Sequence, residues 1–304
     1  MLIEEDFEIK NHTSFKIGGK IKKIYFPETL DDLKDLPSAS VVVGNLSNTL
    51  VSSYGVDFPV FSTSHLNEIK IEKTLNQVQG DKISVLAGAG VKGPKLAQTV
   101  AEYGLSGLEF MIGFPGSVGG EVYMNAGAHG QAVSDVFKSA IVKGEGKDFI
   151  TLNKEDMNFS YRHSICQEKR YIVLQAEFEL VKKDVEEIKK QMTENLEFRK
   201  AHQPSLALPN CGSIFKNPDG ESAGRLLDSC NVKELKIGGA RVWENHANFI
   251  VNDGNATSTD VLKLMNEMKN RVKEKYNISL MPEICFLGHK NKEEEELCQI
   301  LYQQ

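Results

Sequence analysis

The chain has 304 residues, enough for two or three domains around large cores. With 40% hydrophobic and 26% charged residues it has an ordinary globular composition. A formal net charge of −6 argues against nucleic acid or an acidic membrane surface as the main partner. The opening MLIEEDFEIKNHTSF has no basic start and no apolar run, so no signal peptide is expected. No stretch approaches the ~20 apolar residues of a membrane span.

In chain order, VVVGNLSNTLV (41–51) reads as a β-branched strand, a turn and a second apolar step, and FPVF (58–61) as a further strand. KISVLAGAG (82–90) is a buried strand ending in glycines. GPKLAQTVAEYG (93–104) then reads as a helix, with Pro94 in its first turn and Gly104 as its stop. SAIVKGEGKDFITL (139–152) predicts a hairpin turning at Gly144-Glu145-Gly146, and YIVLQAEFELV (171–181) a long strand. DVEEIKKQMTENLEFRK (184–200) sets Val185, Ile188, Met192 and Leu196 on one helical face.

A domain boundary is expected near Lys200, where composition shifts. HQPSLALPNCGSIFKNPDG (202–220) reads as a loop with one short strand, and SAGRLLDSC (222–230) as a helix. STDVLKLMNEMKNRVKEKYN (258–277) carries Val261, Met265, Met268, Val272 and Tyr276 on one stripe, with Ser258 as the expected N-cap. ISLMPEICFLG (278–288) reads as a strand pair or one bent strand, and NKEEEELCQILYQQ as a closing helix. The five cysteines, Cys166, Cys211, Cys230, Cys285 and Cys298, show no CxxC pairing. Seven histidines are scattered singly. Free thiols in a reducing cytosol are expected, and a metal site is not.

Three segments look chemical. GLEFMIGFPGSVGGEVYMNAGAHG (107–130) packs seven glycines among apolar residues, which suits a backbone that must approach something closely. The bland alternative is that these glycines only permit tight packing. GNLSN (44–48) follows a strand and leaves amide N–H groups free for phosphate oxygens, although a strand-ending turn uses the same residues. Two such turns suggest a long pyrophosphate ligand held by backbone. No lysine stands where a P-loop ATPase requires one, which disfavours nucleotide hydrolysis. In CGSIFKNPDG (211–220), Ser213 lies near Lys216 and suits a proton donor or phosphate ligand, against the structural role most Gly-Ser turns have. Glu283 interrupts an apolar strand, so its carboxylate either finds a partner or serves a site; facing solvent is the alternative.

NHTSFKIGG (11–19), GNLSN, GLEFMIGFPGSVGGEVYMNAGA (107–128), YR (161–162), GSIFKNP (212–218), IGGARV (237–242), HANFIVN (246–252) and PEICFLG (282–288) together resemble the UDP-N-acetylenolpyruvoylglucosamine reductase (MurB) family of flavoenzymes, in the short-loop (type II) subclass. The resemblance spans nearly the whole chain. It implies an α+β protein with an FAD-binding fold of the vanillyl-alcohol-oxidase/PCMH type in two subdomains. Residues 1–64 with 289–304 would form the first and 65–200 the second, with 201–288 as a third, substrate-binding α+β domain. Noncovalent FAD is implied, with NADPH as co-substrate and a UDP-sugar as substrate, in the cytoplasm, for peptidoglycan precursor synthesis. The oligomeric state stays open, a monomer being favoured.

The resemblance also implies residue roles. Gly44, Asn45, Leu46, Ser47 and Asn48 would form the first FAD phosphate loop. Gly113, Pro115, Gly116, Ser117, Gly119, Gly120, Asn125, Ala126 and Gly127 would form a second wall, and Arg199 would lie near the phosphates. Arg162 and Glu283 would stabilise the intermediate formed on hydride addition, Ser213 would protonate it, and Lys216 and Asn217 would meet the substrate. Three positions depart from the family pattern: Leu46 stands where glycine is usual, Glu121 where a small residue is usual, and Cys285 where arginine is common. An acid at Glu121 pointing inward would lower the flavin potential. Two other readings stay open: another oxidase of the superfamily, and an inactive flavin-binding regulator. GNLSN lacks the histidine through which such oxidases often tether FAD, and the intact Arg162, Ser213 and Glu283 speak against the regulator.

Overall fold

Ile172–Lys182 is an eleven-residue strand at the centre of the first sheet of the computed structural model, which describes residues 1–37, 40–72, 82–144, 148–205 and 207–302. The chain divides into two units. One comprises Met1–Ile3, Tyr25–Asn45 and Val60–Arg199, the other Glu4–Ile24, Leu46–Pro59 and Lys200–Gln304. No helix among the described residues is long and apolar enough to cross a membrane.

In the first unit the strands run in the spatial order Phe149–Asn153, Phe137–Lys143, Ile172–Lys182, Lys82–Gly88 and Ile69–Glu72, antiparallel throughout. Ala176 sits opposite Ala87 and Phe178 opposite Val85, so the two-residue period sends Ala176, Phe178 and Leu180 into one core. Helix Gly93–Glu102 buries Leu96, Ala97, Val100 and Ala101 in the same core. It stops as expected at Gly104, whose φ of +65° is the left-handed turn glycine favours. Helix Val185–His202 adds Ile188 and Met192, running two residues beyond the expected end. Full burial of Phe110 and Phe178 contributes about 2–3 kcal/mol each. Both strands of the expected hairpin are present; of its turn, residues 145–147 lie outside the described residues. Val41–Val43 and Val60–Ser62 pair in parallel.

The second unit is built on an antiparallel sheet in the order Asn210–Ser213, Phe249–Asn252, Ala240–Val242 and Lys236–Ile237. Helix Ser258–Tyr276 packs Val261, Met265, Met268 and Val272 into its core, together with Leu297, Cys298 and Leu301 of helix Lys292–Tyr302. Phe15, Ile17 and Leu50, from far earlier in the chain, complete that core. The cap of the long helix is one residue earlier than expected. Thr257 accepts from the Asp260 N–H (3.1 Å) while the Asp260 carboxylate accepts from the Thr257 N–H (2.9 Å). Ser258 is instead fully buried, where its hydroxyl donates to Glu294 (2.6 Å) and accepts from the Ser53 N–H (2.8 Å). Of the segment 278–288, only Cys285–Leu287 is a strand, parallel to Thr49–Val51, with a single bridge between Phe215 and Pro282 upstream. Pro282 has no N–H to continue a ladder.

Candidate functional site

The glycine-rich stretch folds as a 3-10 turn, Glu109–Gly113, a loop, and a short helix, Val118–Tyr123. Several of its glycines have a packing reason. A Cβ on Gly113 would lie 2.9 Å from Arg199 Cδ, and one on Gly119 2.8 Å from the Ala89 Cβ. The amides of Val118 and Gly119 are committed to the carbonyls of Val91 (2.8 Å) and Ala89 (2.9 Å). Gly44 and Gly120 differ. A Cβ on Gly44 would meet only Ser117, at 2.6 Å from Oγ, and one on Gly120 would meet that hydroxyl alone, at 3.9 Å. The Asn45 side-chain amide donates to the Pro115 carbonyl and so ties the first loop to the second.

Two buried groups here lack partners among the described residues: the Ser117 hydroxyl and both carboxyl oxygens of Glu121. Glu121 lies on the same face of its helix as Val118 and Val122, and is 3% exposed. Its carboxyl is wedged against Gly93 and Gly116, where an added Cβ would collide with Oε1. Burial alone pushes its pKa up to about 8, so the group is neutral at pH 7. A neutral acid can sit beside a phosphate; an ionised one would repel it.

Beyond that helix, Asn125 adopts φ +42°. Its side-chain amide donates to the Ser160 carbonyl (2.9 Å) and its Oδ1 accepts from the Ser134 N–H (3.0 Å). It therefore braces the tight turn 160–163 that carries Arg162, itself left-handed at φ +55°. The Arg162 guanidinium donates to the Gly127 carbonyl (3.3 Å) and lies 5.3 Å from the Tyr161 ring centroid. The Gln167 amide donates to both the Arg162 and Tyr123 carbonyls, each at 3.0 Å. Ala126 joins this frame through its N–H to the Glu121 carbonyl (2.8 Å). Arg199 is half-buried at the end of the unit's last helix, and desolvation holds its guanidinium below the usual arginine range.

In the second unit, Leu46 adopts φ +49°, the left-handed region that glycine enters without a Cβ penalty. Among the described residues, no hydrogen bond within the chain takes up the N–H groups of Leu46 or Ser47. The Asn48 side-chain amide donates to the Glu283 carbonyl (3.0 Å), and its own carbonyl accepts from the Cys285 N–H (3.0 Å). Glu283 donates its N–H to the Ile214 carbonyl (2.8 Å), next to Ser213. Ser213 and Glu283 thus ride on two hydrogen-bonded segments of one unit. Arg162 belongs to the other unit and stands on its own turn.

Lys216 continues that pairing through its N–H to the Met281 carbonyl (2.9 Å). Asn217 is exposed and its Oδ1 accepts from the Ala223 N–H (3.0 Å) at the start of helix Ala223–Ser229. The strand bearing Ser213 is held by a residue that sequence reasoning passed over. Asn248, 3% exposed, accepts from the Phe215 N–H (3.0 Å) and donates to the Phe215 carbonyl (2.8 Å). Within the first unit the orphaned Ser117 hydroxyl fits a phosphate-bearing ligand, and within the second unit the unpartnered amides of Leu46 and Ser47 do so as well.

Two family models match the chain: FAD binding domain over residues 28–147, and UDP-N-acetylenolpyruvoylglucosamine reductase, C-terminal domain, over residues 203–287. The UDP-N-acetylenolpyruvoylglucosamine reductase of Caldanaerobacter subterraneus subsp. tengcongensis is 40% identical over 289 residues, covering 93% of this chain and 92% of that protein. Its Bacillus subtilis counterpart is 39% identical over 288 residues, 92% of each. The crystal structure of the Thermus caldophilus reductase has a TM-score of 0.78 at 33% identity, over 94% of this chain and 99% of that one. The expected α+β flavin-binding fold is borne out by these likenesses.

Proposed function

Since the chain belongs to the UDP-N-acetylenolpyruvoylglucosamine reductase family of FAD-dependent oxidoreductases, we propose that it reduces UDP-N-acetylglucosamine enolpyruvate to UDP-N-acetylmuramate with NADPH. Its place would be the cytoplasmic synthesis of peptidoglycan precursors. The observation that carries the residue assignment is the pairing of the Ser213 strand with the Glu283 segment, by which two groups 70 positions apart in the sequence share one hydrogen-bonded frame.

Bound FAD supplies hydride transfer, from NADPH and then to the methylene carbon of the enolpyruvyl group. The chain's own residues handle what that transfer creates. Negative charge develops on the adjacent carbon and its carboxylate; Arg162 would stabilise it by positioned charge, and Glu283 by donating a hydrogen bond when its carboxyl carries a proton. Ser213 Oγ gives its proton to that carbon. A serine hydroxyl is a weak acid, and a carbanion-like centre is basic enough to take its proton. Lys216 binds the substrate from the same segment, with Asn217 beside it. The Ser117 hydroxyl and Arg199 of the first unit, and the unpartnered loop amides at Leu46 and Ser47 of the second, would each hold phosphate of the cofactor, noncovalently since GNLSN offers no histidine.

Ser213→Ala tests the assignment. Stopped-flow kinetics should show flavin reduction by NADPH nearly intact, because no proton from Ser213 enters that half-reaction. Reoxidation by the enolpyruvyl substrate should fall by ~10²–10⁴-fold, the usual contribution of a general acid. Equal slowing of both half-reactions would leave Ser213 a merely structural residue. Unchanged reoxidation would remove it from the chemistry.

A further inference from the structure

Asn48 belongs to the loop expected to hold phosphate, yet its side chain points elsewhere. The amide donates to the Glu283 carbonyl (3.0 Å), and the Asn48 carbonyl accepts from the Cys285 N–H (3.0 Å). Both bonds lie on the carbonyl side of Glu283, bracketing Ile284, and join residues 235 and 237 positions apart. Directly afterwards the chain pairs in parallel, Thr49–Val51 against Cys285–Leu287, which continues the same register. On its other edge the Glu283 segment is tied to the Ser213 strand through Ile214 (2.8 Å), and Asn248 fixes that strand at Phe215. Glu283 is therefore gripped between the phosphate loop and the strand bearing the proton donor.

We propose that Asn48 is a positioning residue for Glu283, so that the loop holding the cofactor also sets the place of the catalytic carboxylate. This rests on the function proposed above. With one side-chain N–H engaged at Glu283, Asn48 faces the cofactor loop chiefly through its main-chain N–H. Removing the side chain should leave the phosphate contacts of the loop in place and free the Glu283 backbone to shift. Displacements near 1 Å in a catalytic group cost on the order of 10²-fold in rate.

The test uses the full FAD-loaded protein with Asn48→Ala, which removes the donor without adding charge to the loop, and Asn48→Ser, which shortens the side chain, as a second variant should the first fail to fold. Expected are an FAD dissociation constant within about threefold of wild type, flavin reduction by NADPH within about twofold, and reoxidation by the enolpyruvyl substrate ~10–100-fold slower. In a Glu283→Gln background the same substitution should add little, since the group it positions is already disabled. A purely structural role would not produce this split. Equal slowing of both half-reactions, full multiplication with Glu283→Gln, unchanged reoxidation, or lost FAD affinity with normal reoxidation of the loaded fraction would each overturn the proposal. Failure of the wild-type reduced protein to be reoxidised at all would overturn the proposed function itself, and this inference with it.

Discussion

Glu121→Gln should stabilise the flavin-free protein increasingly as pH rises from 5 to 8. The native carboxyl, 3% exposed and without a hydrogen-bond partner among the described residues, titrates near 8, against 4.5 for an ordinary glutamate. As pH rises past 4.5 the unfolded chain releases this proton, while the folded chain keeps it until about 8. The unfolded state therefore binds fewer protons in that window, and stability falls with pH. Each pH unit is worth ~1.4 kcal/mol, so the wild type should lose about 4 kcal/mol between pH 5 and 8 from this one group. Glutamine has nearly the same shape and does not titrate, so any cost of burying its amide is a constant offset. Urea unfolding of both proteins at half-unit pH steps reads the difference directly. Parallel stability curves across this range would mean that Glu121 is ionised in the folded state, with a partner or water at its oxygens, and the reasoning would fail.

Two further outcomes follow from contacts described above. Arg199→Ala should raise the FAD dissociation constant by ~10–100-fold, the loss of a charge-assisted phosphate contact worth about 1.5–3 kcal/mol. Isothermal titration of flavin-free protein checks this, and an unchanged constant would assign Arg199 a role within the protein, such as its packing against Gly113. Thr257→Ala should lower stability by about 1 kcal/mol in urea unfolding, with Thr257→Ser restoring most of it. A neutral Thr257→Ala would mean that the cap contributes nothing to the helix.

Elements whose physics is local were legible in the sequence. Pro94 and Gly104 bracket a helix because one fixes φ and the other accepts the left-handed turn, and neither needs a distant partner. The long strand at 172–182 alternates because its sheet buries one set of positions. The cap at Thr257 was missed because Thr257 and Ser258 both carry hydroxyls. Only the turn of the backbone decides which one meets the Asp260 N–H. Asn48 and Asn248 bridge to residues 235 and 33 positions away, and no periodicity encodes such bonds. Glu121 did leave a signal. Helical spacing puts it beside Val118 and Val122, so an apolar environment follows once the segment is read as helix. The dense glycines masked that reading.

The second unit draws its core from segments 4–24, 46–59 and 200–304. Phe15, Ile17 and Leu50 are made early, but the residues they pack against, from Cys211 to Leu301, come only after the 140 residues 60–199. At ~5–20 residues per second of synthesis, the early segments wait roughly 10–30 s for their partners. The first unit has almost all of its sequence during that interval. On the ribosome, NHTSFKIGG must therefore remain soluble as an open chain, and the charged and polar residues Lys10, Asn11, His12 and Lys16 around its apolar pair serve that stage as well as the finished surface. The order of the chain thus imposes a nascent-state requirement on residues that look purely structural in the completed protein.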